Sequence, residues 1–80
     1  MQEFYMKKTN EGYEIFVDGS SRGNPGPSGI GIVISKGDEV IKNISKYIGD
    51  TTNNIAEYSA FIYAIQEALV MHLDKVKINT

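Results

Sequence analysis

Eighty residues with eight Lys+Arg against ten Asp+Glu, a net charge of −2 and no cysteine allow one domain at most. They exclude a disulfide framework and a Cys-ligated zinc site, and they speak against the basic surface that drives tight nonspecific nucleic-acid binding. The opening residues, MQEFYMKK, hold no apolar core of a secretory signal, and no apolar run approaches the roughly 20 residues that cross a bilayer; together with the absent cysteines this reads as a chain for a reducing cytoplasm, away from membranes.

Tyr13 to Asp18, YEIFVD, is rich in β-branched and aromatic residues and predicts a strand. Tyr13, Ile15 and Val17 share one face, and Glu14, Phe16 and Asp18 share the other. A glycine-proline stretch follows as a tight loop. Gly29 to Lys36, GIGIVISK, predicts a second strand in which Ile30, Ile32 and Ile34 share a face, while Gly29 and Gly31 leave the opposite face open. KGDE is a turn. Val40 to Ile48 predicts a third strand at the sheet edge, since Lys42 and Lys46 share a face and lysine blunts edges. Short connections make these three an antiparallel meander.

After GDTTNN the period changes. Tyr58, Phe61, Ile62, Ile65, Leu69 and Leu73 fall at helical spacing with no Gly or Pro among them, predicting one long helix from about Asn53 to Leu73. Lys75 to Asn79, KVKIN, predicts a short fourth strand. A right-handed crossover sets it parallel to the first, giving an α/β fold with strand order 3-2-1-4 and the helix on one face. One helix covers one face only. Phe16, Val33, Ile41 and Tyr47 fall on the other, and an apolar face left open expects a partner or further chain.

Several residues have two readings. Asp18-Gly19 can open a turn, yet the loop is longer than a hairpin needs, and glycine-rich loops admit a close ligand. Asn54 to Glu57, NIAE, fits a capping box with Asn54 as N-cap and Glu57 reaching back to it. His72 near the helix C-terminus suits the helix dipole. The loop lacks the Lys-Ser/Thr ending of a phosphate-binding loop and precedes a strand, so it is not a dinucleotide fingerprint.

Taken together, DGSSRGNPGPSG and TTNNIAE resemble type I ribonuclease H, the enzymes that cut the RNA strand of an RNA–DNA hybrid. The motifs occur in the family's order over nearly the whole chain, and Ser20 stands where related proofreading exonucleases carry a Glu. The resemblance implies roles residue by residue. Asp18 is similar to the family's first catalytic carboxylate, which bridges two Mg²⁺ ions, and Glu57 to the second, which acts at one of them. Asn24 corresponds to the loop asparagine that contacts the hybrid, and Asn53 and Asn54 to the pair that reads its minor groove. Gly19 and Ser20 lie where the family's backbone approaches the RNA. Two metals roughly 4 Å apart clamp attacking water and leaving oxygen in such a site, Mg²⁺ or Mn²⁺ taking hard oxygen ligands. Hybrid is told from DNA by 2′-hydroxyls across a wide minor groove.

One departure bears on activity. The family's third carboxylate follows the fourth strand in an Asp-Ser pair, whereas Asn79-Thr80 are the last residues here, and Asp74 lies before that strand. Residues 1–80 are therefore expected to be the N-terminal portion of one ribonuclease H-like domain, inactive alone. The competing expectation is a catalytically incompetent half-fold that binds nucleic acid or self-associates through its uncovered face or the open edge of the fourth strand. A small-anion site on the glycine loop is a third.

Overall fold

The computed structural model describes residues 3–5, 12–73 and 76–80. Five strands and one helix follow in the order β1 (Glu3–Tyr5), β2 (Tyr13–Ser21), β3 (Gly26–Lys36), β4 (Glu39–Thr51), α1 (Asn53–Val70) and β5 (Lys77–Asn79). The sheet order is β1-β5-β2-β3-β4. The β2, β3 and β4 strands form the expected antiparallel meander, and β5 lies parallel to β2. The expected α/β topology is present, with one further strand.

That strand, β1, pairs antiparallel with β5, Glu3 opposite Asn79 and Phe4 opposite Ile78. The edge of the last strand is therefore not open, and self-association by that edge is corrected. The predicted start of the last strand at Lys75, and the neighbouring Asp74, lie outside the described residues. The glycine-proline loop is also shorter than expected. The ladder of β2 with β3 continues through Asp18–Gly31 and Gly19–Ile30 to Ser21–Ser28, so Asp18-Gly19 is strand, not the opening of a turn. Only residues 22–25 turn the chain, closed by the Arg22 amide donating to the Pro27 carbonyl at 2.8 Å.

The core lies between the sheet and the helix. Ile15, Ile30, Ile32, Ile34, Val76 and Ile78 are buried on the sheet side, and each fully buried side chain of this kind contributes about 1.5–3 kcal/mol. The helix meets them with Ala56, Ala60, Ala64 and Ala68, all buried. This corrects the expected face. Tyr58, Ile62 and Leu69 point to solvent, with Tyr58 70% exposed, while Phe61 and Ile65 are partly buried at the margin. A sheet of isoleucines leaves little depth, and a stripe of methyl groups lets the helix axis approach it closely. Lys42 and Lys46 do more than blunt an edge. Both lie on the helix side of β4, where Lys42 Nζ meets Glu67 Oε1 at 2.6 Å and Lys46 Nζ sits 4.9 Å from the Tyr63 ring centroid.

The helix ends sooner than expected, at Val70 rather than Leu73. The His72 amide donates to Leu69 O and the Leu73 amide to Ala68 O, the paired bonds of a Schellman motif, with His72 in the left-handed region at φ 55°. His72 is thus the residue just past the cap. Among the described residues no helix lies on the opposite face of the sheet. Phe16 is 41% and Tyr47 67% exposed there. Among the described residues no helix is long and apolar enough to cross a membrane.

Candidate active site

Asp18 stands near the end of β2 on the helix-free face, exposed and opposite Gly31. Its neighbour Gly19 points to the other face and is buried. A Cβ at Gly19 would collide with the Ala56 carbonyl and lie 2.9 Å from the Glu57 nitrogen. Strand and helix backbones touch here, and only glycine permits it. This contact sets the residue after Asp18 against the backbone of Glu57, although 38 positions of sequence, from Gly19 to Glu57, separate them. Asp18 and Glu57 are both exposed at this junction.

The helix start differs from the expected capping box. Thr52, not Asn54, is the N-cap, with extended backbone and its Oγ1 accepting from the Ile55 amide at 3.2 Å. Glu57 thus lies beyond the box position and does not cap the helix. It is bonded instead to Asn53, whose Nδ2 donates to Glu57 Oε1 at 3.1 Å. Asn53 makes two further bonds. Its Oδ1 accepts from the Ser21 amide at 3.2 Å, and its own amide donates to Asn24 Oδ1 at 3.0 Å. The latter satisfies one of the helix's otherwise unpaired N-terminal donors. Asn24 precedes a cis peptide to Pro25 in the turn. Loop, strand end and helix start are therefore tied through two asparagine side chains. Asn54 is exposed.

Beside Asp18 lies an open trough of about 530 Å³. Two cross-strand rows form it: Asp18–Gly31–Ser45 and Ser20–Gly29–Tyr47. The glycines in the middle of each row supply a floor without side chains. Tyr47 hydroxyl donates to Asp50 Oδ1 at 3.0 Å, and that bond, followed by the carboxylate's charge, holds the phenol pKa above its ordinary value.

Of the residues singled out in the sequence, Asn24, Asn53 and Glu57 are joined by hydrogen bonds, Gly19 lies inside the strand–helix contact, and Asp18 and Ser20 flank it on the other face of β2. Thr52, Ser21, Ser45 and Tyr47 were missed. Thr52 had a legible signal as a hydroxyl immediately before the helical period; Tyr47 was read only as part of the uncovered face, and Ser45 takes its place only as the neighbour of Gly31 across the sheet. Asp18 and Glu57 offer the oxygen donors that Mg²⁺ takes. They fit in kind and fall short in number, since no three His, Cys, Asp or Glu among the described residues could hold an ion together.

The comparisons with known proteins agree with this architecture. Ribonuclease HI of Halobacterium salinarum is 41% identical over 65 residues, 80% of this chain and 33% of that protein. Ribonuclease HI of Vibrio parahaemolyticus is 53% identical over 53 residues, 66% of this chain and 34% of that protein. The crystal structure of LC11-RNase H1, isolated from compost, in complex with an RNA/DNA hybrid superimposes with a TM-score of 0.69 at 47% identity, covering 74% of this chain and 44% of that one. The chain thus spans about a third of the length of these curated relatives. The RNase H family model matches residues 10–80, and the chain belongs to the RNase H family.

Proposed function

We propose that this chain is the N-terminal portion of a ribonuclease H domain that hydrolyses the RNA strand of RNA–DNA hybrids with Mg²⁺. The observation that carries the reading is the contact of Gly19 with the Ala56–Glu57 peptide, which brings the two carboxylate-bearing residues to one corner. The hybrid-bound relative supports the substrate class by likeness of fold.

Asp18 and Glu57 would hold the metal through oxygens that face solvent. When bound, Mg²⁺ supplies the charge that activates water against the scissile phosphate and steadies the leaving 3′-oxygen. The chain's own part is positioning. Gly19 keeps the strand that bears Asp18 against the helix start, and Ser20 follows on the same face as Asp18. The residues facing the hybrid are Ser20, Asn24 and Asn54, with Asn53 contributing whatever its bonds to Ser21 and Glu57 leave free. Short amides suit 2′-hydroxyls in a shallow groove. With two carboxylates at the corner among the described residues, the 80-residue chain alone cuts hybrid far more slowly than a complete relative.

The test joins this chain to the C-terminal portion of the Halobacterium salinarum relative and assays hybrid cleavage with Mg²⁺. Cleavage by the fusion, lost in Asp18→Asn with the circular dichroism spectrum unchanged, is the expected result. An Asp18→Asn fusion that cuts at the unmodified rate would sink the assignment.

A further inference from the structure

We propose that Asn53 is the positioning residue of Glu57: its side chain fixes where that carboxylate points. The inference deepens the reading above, since it takes Glu57 as one of the site's two working carboxylates.

Glu57 is exposed, and an exposed glutamate ordinarily samples several rotamers. A carboxylate that must meet a ligand gains from being oriented beforehand. Among the described residues, the hydrogen bond that Glu57's side chain makes is the one from Asn53 Nδ2 at 3.1 Å. That donor is itself held. Asn53 Oδ1 accepts from the Ser21 amide, 32 positions away in sequence, and the Asn53 amide is anchored on Asn24 Oδ1. The side-chain amide is thereby held at its oxygen, and the residue's backbone by a second bond, before Nδ2 touches Glu57, so holding the glutamate immobilises one side chain instead of two.

The chemistry also assigns the polarity. An asparagine amide offers one accepting and one donating end. The accepting end serves the strand through Ser21, so the donating end must face the carboxylate. The same bracket begins three residues after Asp18 on β2 and ends at Glu57 on α1, so it links the chain segments that bear both carboxylates. Asn54, next in sequence, has no such bond and remains the better candidate for contact with a ligand.

Asn53→Asp separates this role from a merely structural one. It keeps the acceptor for Ser21 and deletes the donor to Glu57, placing a like charge one helical turn away. The experiment is NMR on the 80-residue chain without metal or nucleic acid, reading Glu57 χ1 and χ2 populations from scalar couplings and Ser21 amide exchange. The unmodified chain is expected to show one dominant Glu57 rotamer. In Asn53→Asp that rotamer is lost to averaging while Ser21 remains protected. Asn53→Ala is expected to lose both. Glu57 populations that stay as in the unmodified chain in Asn53→Asp overturn the proposal, and so does an averaged Glu57 in the unmodified chain. Because no cleavage is measured, this outcome is independent of whether the joined enzyme proves active.

Discussion

The two faces of the sheet are built from alternate residues of the same strands, yet they differ in kind. On one face Ile15, Ile30, Ile32 and Ile34 are buried beneath four alanines, and Lys42 and Lys46 reach from the edge strand to Glu67 and Tyr63. On the other, Glu14, Phe16, Asp18 and Ser20 alternate with them along β2 beside a glycine floor, with Tyr47 standing beyond it. The difference teaches that a two-residue period can divide labour within a strand. Every second residue holds the fold, and the residues between are free to be polar, small or exposed. Gly19 is where the two roles meet, because its position belongs to the packed face and its neighbour Asp18 to the open one.

The comparison breaks most completely at that meeting point. Gly19→Ala drives a methyl into the Ala56 carbonyl, and backbone atoms on both sides cannot yield cheaply. A loss above about 3 kcal/mol is expected, read as a collapse of the urea midpoint; a midpoint near that of the unmodified chain would show that strand and helix are not in contact there. Ile32→Ala and Phe16→Ala then contrast the faces directly. Ile32 is fully buried, and its truncation is expected to cost about 2–5 kcal/mol. Phe16 on the open face should cost less than about 1 kcal/mol. Equal shifts of the two midpoints would erase the distinction.

A smaller effect of opposite sign is expected at the helix end. His72 holds φ 55°, a region that costs a non-glycine residue roughly 1 kcal/mol. His72→Gly should therefore raise the thermal midpoint, and an unchanged or lower one would mean that other contacts of His72 outweigh the backbone. The smallest effect concerns Tyr47. Its hydrogen bond to Asp50 and that residue's charge favour the neutral phenol, so the folded pKa lies above the ordinary 10.0. The contact contributes in full below about pH 10 and is lost as pH rises through the raised value. Phenolate absorbance should show Tyr47 titrating late, and Asp50→Asn should move that midpoint down; no movement would remove Asp50 as the cause.

The meander and the helix were legible because their residues alternate or recur with clear period. The helix's inner face was not. Ala56, Ala60, Ala64 and Ala68 have the same period as Tyr58, Ile62 and Leu69 but lie on the opposite side, and hydrophobicity alone favours the larger residues. Small residues win because the isoleucines opposite already fill the space, which no single segment reveals. The cap was ambiguous for another reason: Thr51, Thr52, Asn53 and Asn54 can all cap, and the choice of Thr52 depends on Asn53 being drawn to Ser21 and Asn24. Asp18 and Glu57 were legible as candidates through the resemblance, but the bonds of Asn53 were not, because they join residues far apart in sequence. Three residues of β1 are too few to show a period and are strand only through β5.

That last pairing sets an order of events for folding. Each neighbouring pair among β2, β3 and β4 closes through a short turn, whereas β1 meets β5 only when residues near opposite ends of the chain come together, Glu3 with Asn79. Contacts so distant in sequence form late, after the entropy of closing the intervening chain has been overcome. The meander and helix can assemble without them. The short β5, held by β2 on one side and β1 on the other, is therefore the element whose arrival completes the sheet.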